Sequence, residues 1–478
     1  MGGTIYIIGM TLLWLMVAAT CIHVLIDYRQ PAKTMAWVLV IIFVPIAGII
    51  LYLFFGVNHR RERLVSQRQM DELTKRSMLN FVEQHNLRLP DNHKQLIDLF
   101  VNQNLSLPFR DNRFDIITDG YAFIPELLSD IALARHHIHI DIYIFEDDAL
   151  GHLVSDALTD RAREGVKVRI IYDDVGCWRV KHSFFEHMRE EGVEICPFLP
   201  VHFPTFTSKL NYRNHRKMVI IDGRVGYIGG MNIALRYVKG TGRLPWRDTM
   251  LRLEGGIVYS LQRAFLVDWY FVDGTLITNR DYYPQFLSDS SQGMVANLAQ
   301  IVTSGPTNPY PEIMQGYVRA ITTARRYVYI ETPYFLPNDP VLFALKTAAV
   351  GGVDIRVMCP YTSDSHLTEW ASRPYLRELH EAGATILLYQ SGFLHSKLMV
   401  VDDALSTCGS TNVDVRSFEN NFEANIFIYD EGTALRLKKV FLDDQQYCVT
   451  LENVPRWSSP SFLARLWESL IRLLSRLL

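Results

Sequence analysis

The chain has 478 residues, of which 49% are hydrophobic and 21% charged, and its formal net charge is -3. This length allows two or three domains with a large core. The charge balance excludes a general electrostatic attraction to nucleic acid or anionic lipid, so any phosphate-binding site must be local. Six scattered cysteines without a Cys-x-x-Cys pair argue against a zinc or redox site and fit a reducing compartment.

Two apolar segments near the N-terminus, residues 4–26 and 34–55, are each long enough to cross a bilayer as a helix. A cleaved signal peptide is an alternative for the first segment, but no Lys or Arg precedes it and a second apolar segment follows at once. Buried core helices are a further alternative, which two adjacent segments of this length disfavour. We predict two transmembrane helices within residues 1–57.

Basic residues beside these segments predict the orientation of the chain, because cytoplasmic loops are enriched in Lys and Arg. The loop between the segments has two basic residues, Arg29 and Lys33. The region after the second segment has six basic residues, which are Arg60, Arg61, Arg63, Arg68, Lys75 and Arg76. This asymmetry places the N-terminus and the long C-terminal part in the cytoplasm. Residues 58–107 are polar, are predicted to be helical, and form a connector.

The chain then repeats itself with an offset of about 180 to 190 residues, too long for a solenoid repeat. In each copy, helical stretches alternate with short β-branched runs, which is the pattern of an α/β domain. The matching segments are 117–120, 134–145 and 165–172 in the first copy, and 302–305, 324–335 and 352–359 in the second. We predict two duplicated α/β domains, 108–290 and 291–450.

One polar pattern, His-x-Lys-x4-Asp followed by a Gly pair or Gly-Ser and an Asn, occurs inside an apolar strand near the end of each copy. Its members are His215, Lys217, Asp222, Gly229, Gly230 and Asn232 in the first copy, and His395, Lys397, Asp402, Gly409, Ser410 and Asn412 in the second. A solvated strand edge would explain either motif alone. Two copies with the same spacing indicate a functional site.

Strand geometry predicts the role of each motif residue. His and Lys are two positions apart, so both project from one face of the sheet. Asp lies seven positions after His, an odd interval, so we interpret Asp222 and Asp402 as supporting anchors of the catalytic motif. The small residues let the backbone approach closely, and the Asn side chains can donate to a phosphate oxygen.

Two such motifs facing each other supply a pair of imidazoles, one on each side of a phosphorus atom. One His attacks phosphorus as the nucleophile, and the other protonates the leaving alkoxide and then deprotonates the incoming hydroxyl. The two Lys and two Asn side chains stabilise the charge on the non-bridging oxygens. We therefore expect phosphodiester exchange that requires no metal and no other cofactor.

Each catalytic His also needs a carboxylate that orients its ring. Asp248 lies 33 residues after His215, and Glu423 lies 28 residues after His395, at the start of an apolar run in both copies. A surface carboxylate is the alternative for each. We predict that both support the catalytic histidines.

These paired motifs resemble the phospholipase D superfamily over roughly residues 108–445. The resemblance implies two similar α/β sandwich domains that meet at a pseudo-twofold axis with the active site between them. It also implies a phosphohistidine intermediate. In that family the N-terminal motif supplies the nucleophile, which here would be His215 and would leave His395 as the acid–base residue.

The N-terminal segments, with 31-PAKTMAW-37 and 45-PIAGIILYLFFG-56, are similar to those of bacterial cardiolipin synthases of the phospholipase D type. This resemblance implies transfer of a phosphatidyl group between two phosphatidylglycerol molecules, which gives cardiolipin and glycerol. It implies a multi-pass location in the bacterial inner membrane, with membrane lipids as partners and no role for nucleic acid. One departure is Gly230, which stands where the family usually has Ser, as Ser410 does in the second copy.

Two further segments suit a lipid substrate. The aromatic loop 201–206, with Lys209, Arg213 and Arg216 after it, places apolar side chains beside cations, although a packed loop is an equal alternative. The C-terminal region 451–478 contains apolar residues at helical spacing from Phe462 onwards. We predict an amphipathic interfacial helix there, and a helix docked on the protein's own core is the alternative.

Several rival functions share the motifs. A hydrolase of the same fold would use water as the acceptor, and another phosphatidyltransferase would use a different donor or acceptor, such as phosphatidylethanolamine as donor. A nuclease should show a basic groove with stacking aromatics and would have no use for membrane spans. A catalytically inactive membrane scaffold is disfavoured because both motifs are complete.

Overall fold

The computed structural model describes residues 2–27, 31–56, 90–201, 211–242, 244–284, 297–473 and 475. It contains two compact units, one of Met1–Arg63 with Val201–Tyr212 and one of Leu64–Pro200 with Arg213–Leu478. Most of the predicted connector and of the predicted aromatic loop lies outside the described residues, and so do the basic residues used for orientation except Lys33.

The N-terminal unit is helical, with helices Gly2–Ile26, Pro31–Phe43 and Pro45–Leu51 and a π-helical turn Tyr52–Gly56. Among the described residues, Gly2–Ile26 is the one helix that is long and apolar enough to cross a membrane. The predicted second span, 34–55, is divided at Val44. Pro45 causes the break, because it has no N–H to donate to the carbonyl of Ile41.

The second unit is built on mixed sheets. Strands of the first repeat are β1 Arg113–Ile117, β2 His137–Ile142, β3 Lys167–Asp173, β4 Glu194–Phe198, β5 Arg213–Asn214, β6 Lys217–Ile221, β7 Val225–Gly229 and β8 Met250–Glu254. Except for β5, they form one seven-stranded sheet in the order β1-β8-β7-β6-β2-β3-β4. Strands β2, β3 and β4 run parallel, and the others join antiparallel.

The second repeat supplies the strands β9 Ala299–Ser304, β10 Tyr327–Glu331, β11 Phe335–Leu336, β12 Asp354–Pro360, β13 Thr385–Tyr389, β14 Leu398–Val401, β15 Leu405–Gly409, β16 Val413–Asp414, β17 Asn421–Ile428 and β18 Cys448–Thr450. Nine strands form one sheet in the order β18-β13-β12-β10-β14-β15-β17-β5, with β9 also paired to β17. Strands β11 and β16 pair separately.

Seven strands of each sheet follow the same order. From β9 the second sheet runs β9-β17-β15-β14-β10-β12-β13, which matches the order of the first sheet from β1 to β4 strand by strand. Parallel strands in both sheets are connected through helices, as in other α/β folds. The predicted duplication of an α/β domain is therefore confirmed.

Helices connect and cover these strands. Their bounds are Lys94–Asn104, Gly120–Leu133, Ala149–Arg163, His182–Glu190, Arg236–Lys239, Ile257–Asp273, Glu312–Thr323, Asp339–Val350, His366–Glu381, Val415–Glu419, Glu431–Gln445, Pro455–Ser458 and Phe462–Arg472, with 3-10 turns at Arg280–Tyr282 and Leu451–Asn453. Acidic or amide side chains cap several of them; for example, Asp148 accepts from the backbone N–H of Leu150 and Gly151.

Each repeat has its own apolar core. The helix Lys94–Asn104 comes from the end of the predicted connector, yet it buries Leu96, Ile97 and Phe100 in the core of the second repeat. Near the other end of the chain, Trp457 also joins this core. Segments on both sides of the duplicated domains therefore contribute to packing in the second one.

Beside the catalytic motifs, the backbones of the two repeats pair at two places, which we call the backbone crossings. Strand β5, just before His215, runs parallel to β17 of the second repeat, with Asn214 opposite Phe422. In the reciprocal position, Arg247 of the first repeat forms a parallel bridge to Leu394, just before His395. These crossings bring each His motif against the other repeat.

Candidate active site

The two catalytic-motif histidines are held by carboxylates of the opposite repeat. Nδ1 of His215 lies 3.0 Å and 3.1 Å from the two carboxylate oxygens of Glu423. Nδ1 of His395 lies 2.6 Å from Oδ2 of Asp248. Within the described residues, the side-chain hydrogen bonds of both rings are made at Nδ1, so Nε2 is the nitrogen available for a substrate.

The backbone crossings explain this exchange of partners. The N–H of His215 donates to the carbonyl of Phe422 at 2.9 Å, and Glu423 is the next residue. The N–H of His395 donates to the carbonyl of Arg247 at 2.7 Å, and Asp248 is the next residue. The spacing in the sequence associates each carboxylate with the histidine of its own repeat, whereas the structure pairs them across the repeats.

The motif lysines lie beside the imidazoles. Nζ of Lys217 donates to the carbonyl of His215 at 2.6 Å and lies 5.0 Å from the ring centre of Tyr143. Nζ of Lys397 lies 2.9 Å from Nδ1 of His395 and also donates to the carbonyl of that residue. His and Lys therefore share one face of the strand, as their spacing predicts.

Burial changes the proton affinity of all four groups. It lowers the pKa of His215 to about 4 and that of His395 well below its usual value, and both lysines contribute to each decrease. Burial also lowers the pKa of Lys217 to about 7 and of Lys397 to about 8. Because each lysine acts on the histidine of the opposite repeat, the four groups share one electrostatic environment.

The two orienting carboxylates differ in pKa. Burial raises the pKa of Asp248 to about 6, although Lys397 and the N–H of Thr249 oppose this. Burial alone would also raise the pKa of Glu423, but His215, Lys217 and the Ser410 hydroxyl outweigh it, and the pKa is lowered. Glu423 is thus the more firmly ionised of the two.

The motif aspartates lie at the far ends of the His-Lys strands. The carboxylate of Asp222 accepts from the backbone N–H of Arg135, His136 and His137 at 2.7–2.9 Å. Asp402 accepts from Arg325, Arg326 and Tyr327 in the same way. Both aspartates have a left-handed backbone, and each fastens the end of its strand to the start of the neighbouring strand.

The small residues after each motif permit close packing. A Cβ on Gly229 would lie 2.3 Å from the carbonyl of Thr249, and one on Gly409 would lie 2.3 Å from the carbonyl of Ala424. A Cβ on Gly230 would meet the Asp248 carboxylate at 2.1 Å. The corresponding Ser410 instead donates its hydroxyl to Glu423.

The motif asparagines are buried near the same residues. Asn232 accepts from the N–H of Ile144 at 3.1 Å and donates to the Tyr237 hydroxyl at 2.9 Å. The side-chain oxygen of Asn412 is buried without a hydrogen-bond partner among the described residues. Their predicted contact with a phosphate oxygen stays a prediction.

Behind each motif lies a buried set of one arginine and two carboxylates. In the first repeat, Arg216 pairs with Asp268, and Asp141 lies close enough to Asp268 for their charges to interact. The other set joins the repeats, because Arg247 of the first repeat pairs with Asp444 of the second at 2.7 Å and lies 3.9 Å from Glu331. Burial raises the pKa of Asp141 and of Glu331. In each set one carboxylate can therefore stay protonated, so that the single arginine balances the charge of the other carboxylate.

This arrangement corrects one prediction about lipid contacts. Arg213 and Arg216 were expected among the cations beside an apolar loop, but both are buried, and they pair with Asp173 and Asp268. They therefore stabilise the interior of the repeat and do not face a lipid head group. The other residues of that prediction, 202–210, lie outside the described residues.

Sequence reasoning missed the aromatic residues that enclose the imidazoles. The ring of Tyr143 lies 4.9 Å from His215, and the ring of Trp246 lies 5.2 Å from His395. The Tyr237 hydroxyl lies 3.4 Å from Nδ1 of His395. Trp246 could have been found from its place two residues before Asp248, whereas Tyr143 and Tyr237 carry no comparable signal.

Comparison with known proteins agrees with these features. Residues 127–243 and 317–445 match the family model described as cardiolipin synthase, PLD-like domain, and residues 12–56 match the model described as phospholipase D-nuclease N-terminal. The chain is 38% identical to the major cardiolipin synthase of Bacillus subtilis over 95% of both chains. It is also 38% identical to a cardiolipin synthase of Oceanobacillus iheyensis over the full length of both.

The fold is also found in a solved structure. A phosphatidylserine synthase from Haemophilus influenzae has a TM-score of 0.63 and 13% identity, and the match covers 81% of this chain and all of the other. At this identity the likeness concerns the fold alone. The family model covers both copies of the motif, and the curated relatives extend over nearly the whole length. The chain therefore belongs to the family of phospholipase D-type cardiolipin synthases.

Proposed function

We propose that this protein is a cardiolipin synthase that transfers a phosphatidyl group from one phosphatidylglycerol to the glycerol hydroxyl of another. The products are cardiolipin and glycerol. The observation that carries this proposal is the pair of buried imidazoles, each held at Nδ1 by a carboxylate of the opposite repeat. The names of its relatives support the choice of substrate class.

The first half-reaction breaks the bond between phosphorus and the glycerol head-group oxygen. Nε2 of His215 attacks phosphorus, a phosphorus–nitrogen bond forms, and His395 gives a proton to the leaving glycerol oxygen. His215 is suited to attack because it is neutral, and ionised Glu423 stabilises the positive charge that its ring gains. The negative charge of the substrate favours protonation of His395.

The second half-reaction reverses these roles with a new acceptor. His395 removes the proton from the glycerol hydroxyl of a second phosphatidylglycerol, and the resulting oxygen attacks phosphorus. The phosphorus–nitrogen bond breaks and His215 is regenerated. Lys217 and Lys397 stabilise the non-bridging oxygens in both steps, since an anionic phosphate favours their charged forms.

We further propose that both apolar N-terminal segments cross the membrane and that the duplicated domains, 108–290 and 291–450, lie in the cytoplasm. Residues 31–56 extend roughly 39 Å as a helix, enough for a bilayer core of about 30 Å. A proline kink such as that at Pro45 is tolerated in membrane helices. The excess of basic residues after the second segment supports the orientation.

The products of phosphatidylglycerol alone test the proposed reaction. Purified full-length protein in vesicles of labelled phosphatidylglycerol should release cardiolipin and glycerol in equal amounts, with phosphatidic acid as a minor product. Added glycerol should reverse the reaction, because the same two histidines catalyse both directions. If phosphatidic acid dominates and glycerol has no effect, the enzyme is a hydrolase and the proposal is wrong.

A further inference from the structure

The C-terminal helix, Phe462–Arg472, packs on the protein through its polar side. Glu468 is buried and bonds to both Arg373 and Arg377 of the helix His366–Glu381. Arg472 lies over the ring of Tyr375 at 4.5 Å. These ion pairs and the cation–π contact fix which side of the helix faces the domain.

The opposite side of this helix is apolar and exposed. Phe462 is 79% exposed and Leu473 is 78% exposed, and the same side carries Leu463, Leu466 and Leu470. Amphipathic helices of globular proteins normally bury such a stripe against the core. Of the residues in this helix, Ile471 alone is a buried member of the core cluster of the second repeat. The usual orientation is therefore inverted.

A series of side-chain contacts, with one step along the chain, leads from this helix to the active site. Trp467 contacts Trp370 with ring centres 5.9 Å apart. Trp370 lies in the helix that begins at His366, and Asp364, just before it, accepts from the Tyr334 hydroxyl. The Tyr334 ring lies 6.5 Å from that of Phe393, and Phe393 lies 5.9 Å from His395. The helix is thus linked to the site through ring contacts, one hydrogen bond and the chain between Asp364 and Trp370.

A lipid surface matches the chemistry of this exposed side. Leu and Phe occupy its centre, Trp467 lies at one border, and the exposed Arg465 lies at the other. Such a composition is typical of helices that lie in the membrane interface, where Trp is enriched and Arg attracts anionic lipids. The chain also carries the N-terminal helix Gly2–Ile26, which is apolar and long enough to span a bilayer.

A second copy of the chain fits this side less well. One face of a helix of 11 residues offers far less than the roughly 800 Å² that each partner contributes to a stable protein interface. Insertion into lipid requires no such area, because a bilayer accepts single apolar side chains. Contiguous apolar patches of this kind mark an interaction site on a soluble domain.

We propose that the C-terminal helix lies in the surface of the lipid bilayer, with Phe462, Leu466, Leu470 and Leu473 inserted among the acyl chains. Its buried ion pairs hold the second repeat to this membrane contact. The contact goes beyond the proposed reaction, because lipid insertion does not depend on which acceptor the enzyme uses.

Photocrosslinking of the full-length protein tests this contact. The photoreactive residue p-benzoylphenylalanine replaces Leu470 in protein reconstituted in vesicles of phosphatidylcholine and phosphatidylglycerol. The control carries the same residue in place of Leu435, which is 44% exposed on the helix Glu431–Gln445. We expect at least fivefold more lipid adduct, measured as a mass increase of one phospholipid, at position 470. A crosslink to a second chain, or lipid adduct at the control level, would overturn the proposal.

A charge on the apolar side provides a second test. Leu466→Glu in the crosslinking protein should reduce the lipid adduct at position 470 severalfold, because the carboxylate opposes insertion. Leu435→Glu should leave that adduct unchanged. The melting temperature in detergent should be the same for both variants, since both side chains are exposed. An unchanged adduct in the Leu466→Glu protein would also overturn the proposal, whatever the transferase assay shows.

Discussion

The two halves of the active site share a topology but differ in how they hold their carboxylates. At Ser410 a hydroxyl donates to Glu423, which belongs to the same repeat and orients His215. At the equivalent Gly230 there is no side chain, and Asp248 occupies the space that a Cβ would need. The pKa of Glu423 is lowered, whereas that of Asp248 is raised to about 6. Duplication has therefore produced two chemically distinct halves.

The difference in pKa between Glu423 and Asp248 suits the different roles of the two histidines. A nucleophilic histidine gains a positive charge in the covalent intermediate, so a firmly ionised partner such as Glu423 stabilises that state. A histidine that gives and takes a proton must reach its neutral form as well as its charged form, and a less firmly ionised partner such as Asp248 favours the charged form less. The exchanges of Ser410 for Gly230 and of Glu423 for Asp248 between the halves therefore accord with the proposed roles of His215 as nucleophile and His395 as acid–base residue.

The sharpest test of this comparison replaces each histidine. His215→Ala and His395→Ala should each reduce transfer by roughly 10³-fold or more, since one removes the nucleophile and the other the acid. Only His215 should carry the covalent group. In wild-type protein denatured during turnover of phosphatidylglycerol labelled at phosphorus, the label should be on the peptide that contains His215.

The controls separate loss of chemistry from loss of folding. Both variants should keep the wild-type melting temperature in detergent. Label on the His395 peptide would reverse the assigned roles, and a variant that retains a tenth of wild-type turnover would remove that histidine from the mechanism.

The buried arginine sets provide a second comparison, in which the halves should behave alike. Arg247→Met leaves Glu331 and Asp444 buried without their cation, and removing one partner of a buried ion pair costs about 3–5 kcal/mol. Arg216→Met should cost a similar amount through Asp268. Thermal unfolding in detergent should show a large decrease in melting temperature for both.

Second substitutions identify the cause of that loss. Asp444→Asn in the Arg247→Met background, and Asp268→Asn in the Arg216→Met background, should each restore most of the stability. In both cases the remaining carboxylate, Glu331 or Asp141, has a raised pKa and can stay protonated. If neither double variant is more stable than its single parent, the arginines stabilise the fold through other contacts.

The local chemistry of these sites could be predicted from the sequence, but their pairing could not. Spacing alone indicated that His215 and Lys217 share a strand face and that Asp222 lies apart from them. The exchange of Glu423 and Asp248 between repeats depends on two backbone crossings between residues that lie far apart in the chain. No periodicity in a single strand contains that information.

Two other differences have equally physical origins. Pro45 was visible in the second apolar segment, but hydropathy does not report the hydrogen bond that it removes. The amphipathic pattern from Phe462 onwards predicted a helix, whereas the orientation of that helix depends on Glu468. This carboxylate pairs with two arginines that lie about 90 residues earlier.

A substitution at Gly230 tests whether the position of Asp248 beside His395 matters for catalysis. A Cβ at this position would lie 2.1 Å from the Asp248 carboxylate, so Gly230→Ala must displace Asp248 from His395. A shift of about 1 Å in a catalytic group reduces turnover by roughly 10²-fold. Steady-state transfer from phosphatidylglycerol should show this loss in kcat.

Gly432→Ala is the matched control, because the nearest atom to its added Cβ is a side-chain oxygen at 3.4 Å. It should retain near wild-type turnover. Wild-type kcat in Gly230→Ala would mean that Asp248 does not need its present position to support His395.

The smallest expected effect comes from removing the Ser410 hydroxyl. Ser410→Ala deletes one donor to Glu423 without adding bulk, so the pKa of Glu423 should rise from its lowered value. A carboxylate with a depressed pKa remains ionised until the pH falls through that value. A higher pKa of Glu423 therefore means that activity is lost at a higher pH when the solution is acidified. We expect a decrease in kcat of roughly threefold at pH 8 and a larger decrease near pH 5.

The direction in which the acid limb of the pH profile moves tests whether the halves differ in the pKa of their carboxylates. Ser372→Ala serves as the control, because its buried hydroxyl donates to the Thr368 carbonyl within a helix of the same repeat. The acid limb of its pH profile should coincide with that of wild type. In Ser410→Ala, the acid limb should move upward, towards the profile expected of a site whose carboxylates both resemble Asp248. If the limb stays in place while kcat falls equally at every pH, Ser410 acts by packing, and the difference between the halves does not lie in the proton affinity of Glu423.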